Sequence, residues 1–196
     1  MKIVSVTEDL NIENRIAITP DIAKKYISNG FKVSLIKDYG KHLGFTNEDF
    51  EKNGVIIEND EKSLLLSADI ILQLNLLSDE KLSNIKENQI LIGVLDPFSN
   101  KEKLDNLQKK NIKMFSLELL PRITRAQSMD ILSSQANLAG YKAVVESFAH
   151  FEKAIPMMMT AAGTIPAAKV LIVGAGVAGL QAIATAKRMG AIVFAT

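Results

Sequence analysis

Short apolar runs separated by polar, helix-forming windows make up the first 118 residues of the chain. Several of these runs are apolar at consecutive positions, which is typical of strands buried on both faces of a parallel sheet. Parallel neighbours need a crossover connection, and the windows between the runs are long enough for helices. A doubly wound α/β domain is therefore predicted, with six strands at residues 3–6, 31–36, 55–57, 69–74, 90–95 and 112–117.

Residues that begin and end helices stand between the predicted strands. Thr19 can cap a helix whose first residue is Pro20, and Gly30 suits the left-handed conformation in which the chain leaves that helix. Thr46 followed by Asp49 has the spacing of a second capped helix start. These signals support alternating strands and helices across the N-terminal domain, which we assign to residues 1–120.

The next segment is typical of one long helix. Thr124 and Gln127 have the spacing of a capping box, and small or apolar residues then recur at helical intervals as far as Val144. Gly140 is the expected weak point, since glycine lowers helix propensity. We predict a linking loop and long helix over residues 121–155, followed by a second domain over residues 156–196 that opens with a linker, IPMMMTAAGTIPAA.

A glycine-rich turn, GAGVAG, follows that linker. An apolar strand over residues 169–173 precedes it and a helix over residues 177–189 follows, which is the context that a dinucleotide-binding G-x-G-x-x-G requires. Gly174 would permit the tight turn, Gly176 would admit the pyrophosphate, and Gly179 would let the helix pack closely. Amides at the helix start, Val177 among them, would face the phosphates. The alternative is a glycine-rich turn without a ligand.

The next strand begins at Ala191, and the acidic residue that bonds a ribose hydroxyl is expected about twenty residues past the glycines. The sequence stops at Thr196, before such a residue. The predicted fold class is therefore α/β, with two Rossmann-like doubly wound domains joined by a long helix, the second one incomplete. We also expect residues 1–196 alone to bind a dinucleotide weakly.

Composition narrows the possible functions. The formal net charge is +1 with interspersed acids and bases, so no nucleic-acid partner is predicted. The absence of cysteine excludes a thiolate nucleophile, and His42 and His150 have no partners at metal-ligand spacing, so no metal site is predicted. The chain is expected to be globular and soluble, without a secretory signal or a membrane-spanning segment.

The stretch ELLPRITRAQSMDILSSQANLAGYKAV, residues 118–144, resembles the NAD(H)-binding component of proton-translocating NAD(P) transhydrogenases. The resemblance continues through residues 156–196 and includes ENRIAITP at residues 13–20. It implies two α/β domains joined by long helices, with NAD(H) between them. It also implies a homodimer at the cytoplasmic side of the inner membrane, as a peripheral component bound to membrane-spanning and NADP-binding components.

The resemblance also implies roles for individual residues. Residues matching Arg122, Asp130 and Ser133 hold the nicotinamide end, and Gln127 reaches toward NADP(H) on the partner component. Gln127 and Asp130 are accordingly the catalytic candidates. Direct hydride transfer between two nicotinamides needs no nucleophile or metal; it needs two rings held face to face without water. The implied cofactor-binding set is Arg122, Ile123, Thr124, Arg125, Gln127, Asp130, Ser133, Gly174, Gly176, Val177 and Gly179.

Each of these candidates also has a structural interpretation. Gln127 could serve only in the capping box, and Asp130 could serve only as a partner of the helix dipole. Arg122 could form a surface ion pair, and Ser133 could bond back to the preceding turn. Gln127, Asp130 and Ser133 are spaced at threes, so they would share one face of the predicted helix.

Alanine dehydrogenase is the nearest rival, because it resembles the same family throughout. That enzyme has a motif like ENRIAITP in which the residue at the position of Arg15 binds a substrate carboxylate. Arg15 therefore does not discriminate between a transhydrogenase and an alanine dehydrogenase. That enzyme also needs a catalytic lysine and a histidine, whose matching positions here hold Asn75 and Asp96. Neither side chain can do the same chemistry, which disfavours the dehydrogenase. A nucleotide-binding module without catalysis of its own is a third possibility.

Overall fold

The computed structural model describes residues 1–196, and contacts along the chain divide it into two compact units. The first unit is Met1–Pro121 and the second is Arg122–Thr196. No helix of either unit is both long enough and apolar enough to cross a membrane. Each unit has its own sheet and its own core, so we describe them in turn.

A six-stranded sheet forms the centre of the first unit. All six strands predicted from the sequence are confirmed within one or two residues. They are β1 (Lys2–Ser5), β2 (Lys32–Ile36), β3 (Ile56–Glu58), β4 (Ile70–Asn75), β5 (Ile90–Val94) and β6 (Lys113–Ser116). Their order in the sheet is β3-β2-β1-β4-β5-β6 and all neighbouring strands are parallel, as in a doubly wound fold.

Five helices connect these strands, and the predicted caps are confirmed. The Thr19 hydroxyl accepts the Ile22 amide, Thr46 and Asp49 form a reciprocal capping box, and Gly30 has a φ of +87°. Side-chain caps satisfy amides that the first helical turn leaves without partners. The helices are α1 (Pro20–Ser28), α2 (Asn47–Glu51), α3 (Glu61–Leu66), α4 (Asp79–Ser83) and α5 (Lys101–Lys109), with short 3-10 turns at Lys41–Leu43 and Leu117–Leu119.

The sheet has an apolar core on each face. Successive strand residues point to opposite faces, so Ile3 of β1 joins one cluster and Val4 joins the other. The cluster around Ile3 packs beneath α1 and α2, while that around Val4 includes residues of α3, α4 and α5. Helices on both faces confirm the doubly wound fold class for this unit.

The second unit is smaller. Its elements are a 3-10 turn (Thr124–Met129), α6 (Ile131–Ala149), β7 (Met158–Thr160), β8 (Gly163–Ile165), β9 (Lys169–Ile172), α7 (Val177–Arg188) and β10 (Ile192–Ala195). Strands β9 and β10 pair in parallel, and β7 and β8 form a separate antiparallel hairpin. The core of this unit is Val144, Ala182 and Ala186, with Phe148 and β-strand side chains packed around them.

The long helix begins later than the capping-box pattern predicted. Thr124 and Gln127 lie in the 3-10 turn, and α6 starts at Ile131 with Asp130 as its cap. The Asp130 carboxylate accepts the Ser133 amide at 2.9 Å, which gives a charged cap at that position. The predicted capping box at Thr124 is therefore wrong.

Two further expectations for this region are overturned. The stretch interpreted as a linker contains the β7–β8 hairpin, whose turn is closed by Thr160 and Gly163. Gly140 was expected to weaken the helix. It is instead buried at the point where α6 packs against the backbone of α7. A Cβ at Gly140 would lie 2.1 Å from the carbonyl oxygen of Ala178. The interdomain linking role of α6 stays a prediction.

We predict that Gly140→Ala destabilises the second unit by roughly 1–3 kcal/mol, because the added Cβ forces α6 and α7 apart. Ser134→Ala, at an exposed position of the same helix, should change stability by less than about 0.5 kcal/mol. Urea unfolding followed by far-ultraviolet circular dichroism measures both. Helix propensity alone predicts the opposite sign for Gly140→Ala, a gain of about 1 kcal/mol, and that result would contradict the packing argument.

Candidate functional site

The glycine-rich turn lies between β9 and α7 of the second unit. Gly174 has a φ of +96°, a left-handed conformation that favours glycine, and its amide donates to the carbonyl oxygen of Thr196 at 2.8 Å. These features reverse the chain at the end of β9 and send it directly into α7. The strand, turn and helix predicted around GAGVAG are confirmed.

Gly176 and Gly179 differ in what surrounds them. A Cβ built at Gly179 would lie 1.8 Å from the carbonyl oxygen of Gly174, so the packing of α7 on the turn requires glycine there. A Cβ built at Gly176 would meet no atom within 4 Å. The protein itself therefore does not require glycine at Gly176, and the space beside this residue is open to a ligand.

The start of α7 also lacks the cap that most helices of this chain have. Side chains cap α1, α2, α3, α4 and α6, whereas α7 begins at Gly176 with no side-chain hydrogen bond. Its first amides and the positive end of its dipole face the open space beside the glycine. This arrangement is suited to an anionic group such as a phosphate.

A second cluster of candidate residues lies at the start of α6. The two carboxylate oxygens of Asp130 accept the amide of Ser133 at 2.9 Å and its hydroxyl at 2.6 Å. These bonds, followed by the nearby charge of Arg122, hold the pKa of Asp130 below its usual range. Because Ser133 gives its hydroxyl hydrogen to Asp130, its oxygen is left to accept a hydrogen bond from a ligand.

The other candidates from the same region are exposed in or beside the 3-10 turn. Gln127 is in that turn and its carbonyl accepts the Asp130 amide at 3.3 Å. The predicted common helix face of Gln127, Asp130 and Ser133 is wrong, since α6 begins only after Asp130. The exposed set is Arg122, Ile123, Thr124, Arg125 and Gln127.

Helix α6 connects this cluster to the glycine-rich turn. Asn137, one helical turn beyond Ser133, donates to the Gln181 side chain on α7 at 3.2 Å. Gly140 of the same helix meets the backbone of Ala178, in the first turn of α7. Ten residues of helix rise about 15 Å, so the Asp130 cap and the start of α7 lie at separate points along α6.

The first unit contains a polar site that the sequence did not reveal. The carboxylate of Glu8, just after β1, accepts the Leu74 amide at 2.7 Å, the Gln73 side chain at 3.1 Å and the Asn75 amide at 3.4 Å. Burial raises the pKa of Glu8, while the two backbone donors oppose that shift. Contacts between residues more than 60 positions apart have no local sequence signal.

A bulge in β4 makes these bonds possible. Leu72 pairs with Ile92 and Asn75 with Val94, so β4 contains one more residue than β5 between the two pairs. The extra residue turns the Leu74 and Asn75 amides toward Glu8. Gly93 on β5 accommodates the bulge, because a Cβ there would lie 2.5 Å from the Gln73 carbonyl oxygen.

A buried hydrogen-bond chain fixes the Gln73 side chain. The Tyr39 hydroxyl accepts the Ala17 and Ile18 amides, so it donates to Ser5, 2.8 Å away. Ser5 in turn donates to the side-chain oxygen Oε1 of Gln73 at 2.7 Å, which directs the Gln73 side-chain NH2 group to Glu8. Burial raises the pKa of Tyr39 to about 12.

Comparison with known proteins places the chain in a family. The family model of the alanine dehydrogenase/PNT N-terminal domain matches residues 5–139, and that of the corresponding C-terminal domain matches residues 143–196. This chain belongs to the alanine dehydrogenase/PNT family. The two matches together cover nearly the whole sequence and both of its units.

Individual members of the alanine dehydrogenase/PNT family include close relatives. The first part of the NAD(P) transhydrogenase alpha subunit of Rickettsia prowazekii is 48% identical over 197 residues, covering 98% of this chain and 51% of the relative. A crystal structure of transhydrogenase from Sinorhizobium meliloti matches with a TM-score of 0.91 and 43% identity, over 98% of this chain and 58% of that one. Alanine dehydrogenase 1 of Staphylococcus aureus is 28% identical, over 73% of this chain and 37% of its own.

The chain thus spans about half the length of the transhydrogenase relatives it matches. Two residues that the sequence resemblance to alanine dehydrogenase singles out, Arg15 and Asp96, are engaged in contacts within the first unit. Arg15 is paired with Glu13 through two side-chain bonds, and these bonds hold the pKa of Glu13 below its usual range. Asp96 has a φ of +43° and its amide donates to Glu118 at 2.6 Å.

We predict that the first unit loses stability between about pH 10 and pH 12 through Tyr39. Tyr39 ionises near pH 10 when unfolded but only near pH 12 when folded, so its stabilising contribution is present below pH 10 and falls as the pH rises. The loss amounts to roughly 2–3 kcal/mol. Urea unfolding at several pH values, monitored by circular dichroism, measures it.

Tyr39→Phe is the matched control, because it keeps the ring against Phe50 and removes only the hydroxyl. The variant should lose part of the alkaline slope and be about 1–3 kcal/mol less stable at pH 8, since two amides lose their acceptor. Identical slopes for parent and variant would show that Tyr39 does not carry the alkaline transition.

Proposed function

We propose that this chain forms the NAD(H)-binding part of a transhydrogenase, an oxidoreductase that transfers hydride between NAD(H) and NADP(H). In the complete complex the NADP(H) is carried by a partner component and the transfer is coupled to proton translocation through membrane-spanning components. The proposal also includes a homodimer located as a peripheral component on the cytoplasmic side of the inner membrane. The similarity to transhydrogenases of two organisms supports it.

The observation that carries the proposal is the open, uncapped start of α7. The space at Gly176 is not needed for packing, and the amides of Val177 and its neighbours have no side-chain acceptor in the first turn. A dinucleotide pyrophosphate would satisfy those amides and use the helix dipole. The residues present therefore fit the group that the family implies.

The residues near Asp130 would position the nicotinamide end. The nicotinamide ring supplies the hydride or accepts it when bound, so the protein has to orient the ring and exclude water. Arg122 can donate to a carboxamide oxygen, Asp130 can accept from the amide, and Ser133 has an oxygen free to accept from the amide or the ribose. The exposed Gln127 is proposed to face the NADP(H) of the partner component.

Alanine dehydrogenase is the second candidate, and the structure offers it little support. A lysine and a histidine would be needed to handle an imine and a proton, and the corresponding positions hold Asn75 and Asp96. We expect no alanine-dependent reduction of NAD. A binding module without catalysis differs from both enzymes in that it would bind NADH yet support no transfer.

The decisive experiment uses a chimera in which residues 1–196 replace the matching segment of the Rickettsia prowazekii relative. Combined with the membrane and NADP-binding components, the chimera should transfer hydride from NADH to an NADP analogue, measured by absorbance. Arg122→Ala should lower the transfer rate on the order of 100-fold, because the ring loses an orienting contact. Arg188→Ala, which removes another exposed arginine, is the control and should leave the rate unchanged.

One outcome would contradict the transhydrogenase assignment, and another would contradict only the role of Arg122. A chimera that binds NADH but transfers no hydride would favour the binding module. Equal rates in the Arg122→Ala chimera and its parent would exclude the orienting role of that residue while leaving the transhydrogenase assignment in place.

We predict that Gly176→Ala and Gly179→Ala separate binding from folding in the same chimera. Gly176→Ala should leave the free energy of unfolding within about 0.5 kcal/mol of the parent but weaken NADH binding about tenfold or more, since the methyl group enters the space proposed for the pyrophosphate. Gly179→Ala should lower stability by roughly 1–3 kcal/mol because its Cβ collides with Gly174. Isothermal titration and urea unfolding measure the two effects. Unchanged NADH affinity in Gly176→Ala would remove the pyrophosphate from this turn.

A further inference from the structure

A pocket in the first unit lies at the carboxyl ends of β1 and β4. Its volume is about 410 Å³, within the range of small-molecule sites, and its lining includes Thr7, Glu8, Gln73 and Asn75. The sheet order reverses between β1 and β4, and the crevice beside that reversal is where doubly wound sheets bind ligands. This pocket is separate from the glycine-rich turn and independent of the function proposed above.

Two carboxylates and one ammonium group line the pocket. Glu8 and Asp9 follow β1, and Lys81 lies on the same lining. The Lys81 ammonium is already engaged, because it lies 3.0 Å from Glu61 and donates to the Thr7 carbonyl at 2.9 Å, and Arg15 pairs with Glu13. An anionic ligand would thus meet a carboxylate at this position and no uncommitted charge of opposite sign.

The Glu8 carboxylate is held rigidly and keeps one oxygen available. Oε1 accepts the Leu74 amide and the Gln73 side chain, whereas Oε2 accepts only the Asn75 amide, over 3.4 Å. The β4 bulge and the Tyr39–Ser5–Gln73 chain fix the donors around Oε1. A half-buried carboxylate gains most from a ligand that brings a positive charge and hydrogen-bond donors.

The other walls of the pocket are apolar. Ile12, Leu76 and Leu77 line it opposite the polar groups, and Ile12 is strongly exposed. Such walls suit a short hydrocarbon body, whose burial adds to affinity in proportion to its apolar area. We propose that this pocket binds a small organic cation, with a primary ammonium group on Glu8 and a short apolar body against Ile12, Leu76 and Leu77.

Three probes with one body and different charges test the proposal: butylammonium, butanol and butyrate. Residues 1–196 labelled with ¹⁵N are titrated with each probe, and amide chemical shifts of Leu74 and Asn75 report on the pocket. Butylammonium should shift both amides saturably and bind about tenfold more tightly than butanol, while butyrate should bind most weakly. L-alanine, which carries both charges, should bind less tightly than butylammonium.

Two variants connect the binding to Glu8. Glu8→Gln keeps the shape of the side chain and should weaken butylammonium about tenfold or more, because an ion pair becomes a neutral hydrogen bond. Asp9→Asn removes the neighbouring, exposed carboxylate and is the matched control, with an expected change of less than about threefold. Asn75→Lys leaves the backbone bond to Glu8 in place and should abolish butylammonium binding by supplying an internal cation.

Asn75→Lys and the probe series do not depend on Glu8→Gln, so they test the site even where that variant fails to fold. Butyrate binding as tightly as butylammonium would overturn the assignment of charge. Shifts that never saturate at tens of millimolar, or that are unchanged in Glu8→Gln and Asn75→Lys, would overturn the site itself.

Discussion

Contact between backbones at two glycines is the constraint on which the second unit depends. Gly140 places α6 against the Ala178 carbonyl, and Gly179 places α7 against the Gly174 carbonyl. Every other residue type adds a Cβ that would collide at either point. The apolar core between these elements is small and is centred on Val144, Ala182 and Ala186. Close packing of the two helix backbones therefore supplies van der Waals contacts that bulky side chains supply in a larger core. The position of α7 is thereby set by packing and its first amides are left without a side-chain cap.

The two units use the end of a parallel strand in opposite ways. In the second unit β9 leads through glycines directly into α7, so a helix start with its positive dipole faces the open space beside Gly176. In the first unit β1 is followed by Thr7 and Glu8, and α1 begins only at Pro20. The group at the end of that strand is consequently a carboxylate, held by amides from the bulged β4. Similar strand arrangements thus present opposite charges to a ligand.

Structural features that depend on the local sequence pattern could be predicted from the sequence. The six strands of the first unit, the caps at Thr19 and Thr46, and the glycine-rich turn were all predicted correctly, because each is determined by residues within a few positions of one another. The start of α6 was misplaced since Thr124 and Asp130 both have cap-forming side chains, and only tertiary structure decides between them. The role of Gly140 and the donors to Glu8 depend on contacts between distant segments, which periodicity does not encode.

Three residues of the first unit bear on the comparison with alanine dehydrogenase: Arg15, which keeps the residue type of the shared motif, and Asn75 and Asp96, which do not match the lysine and the histidine. Arg15 is paired here with the Glu13 carboxylate through two side-chain bonds. Asp96, which the sequence resemblance matches to a histidine of that enzyme, has a left-handed backbone conformation, and its amide donates to Glu118. Dehydrogenation of an amino acid must move a proton as well as a hydride, which these side chains are poorly placed to do. The proposed transfer between two nicotinamides would move only the hydride, so the same replacements would leave it unaffected, and the protein's part in the proposed reaction would be to orient the ring.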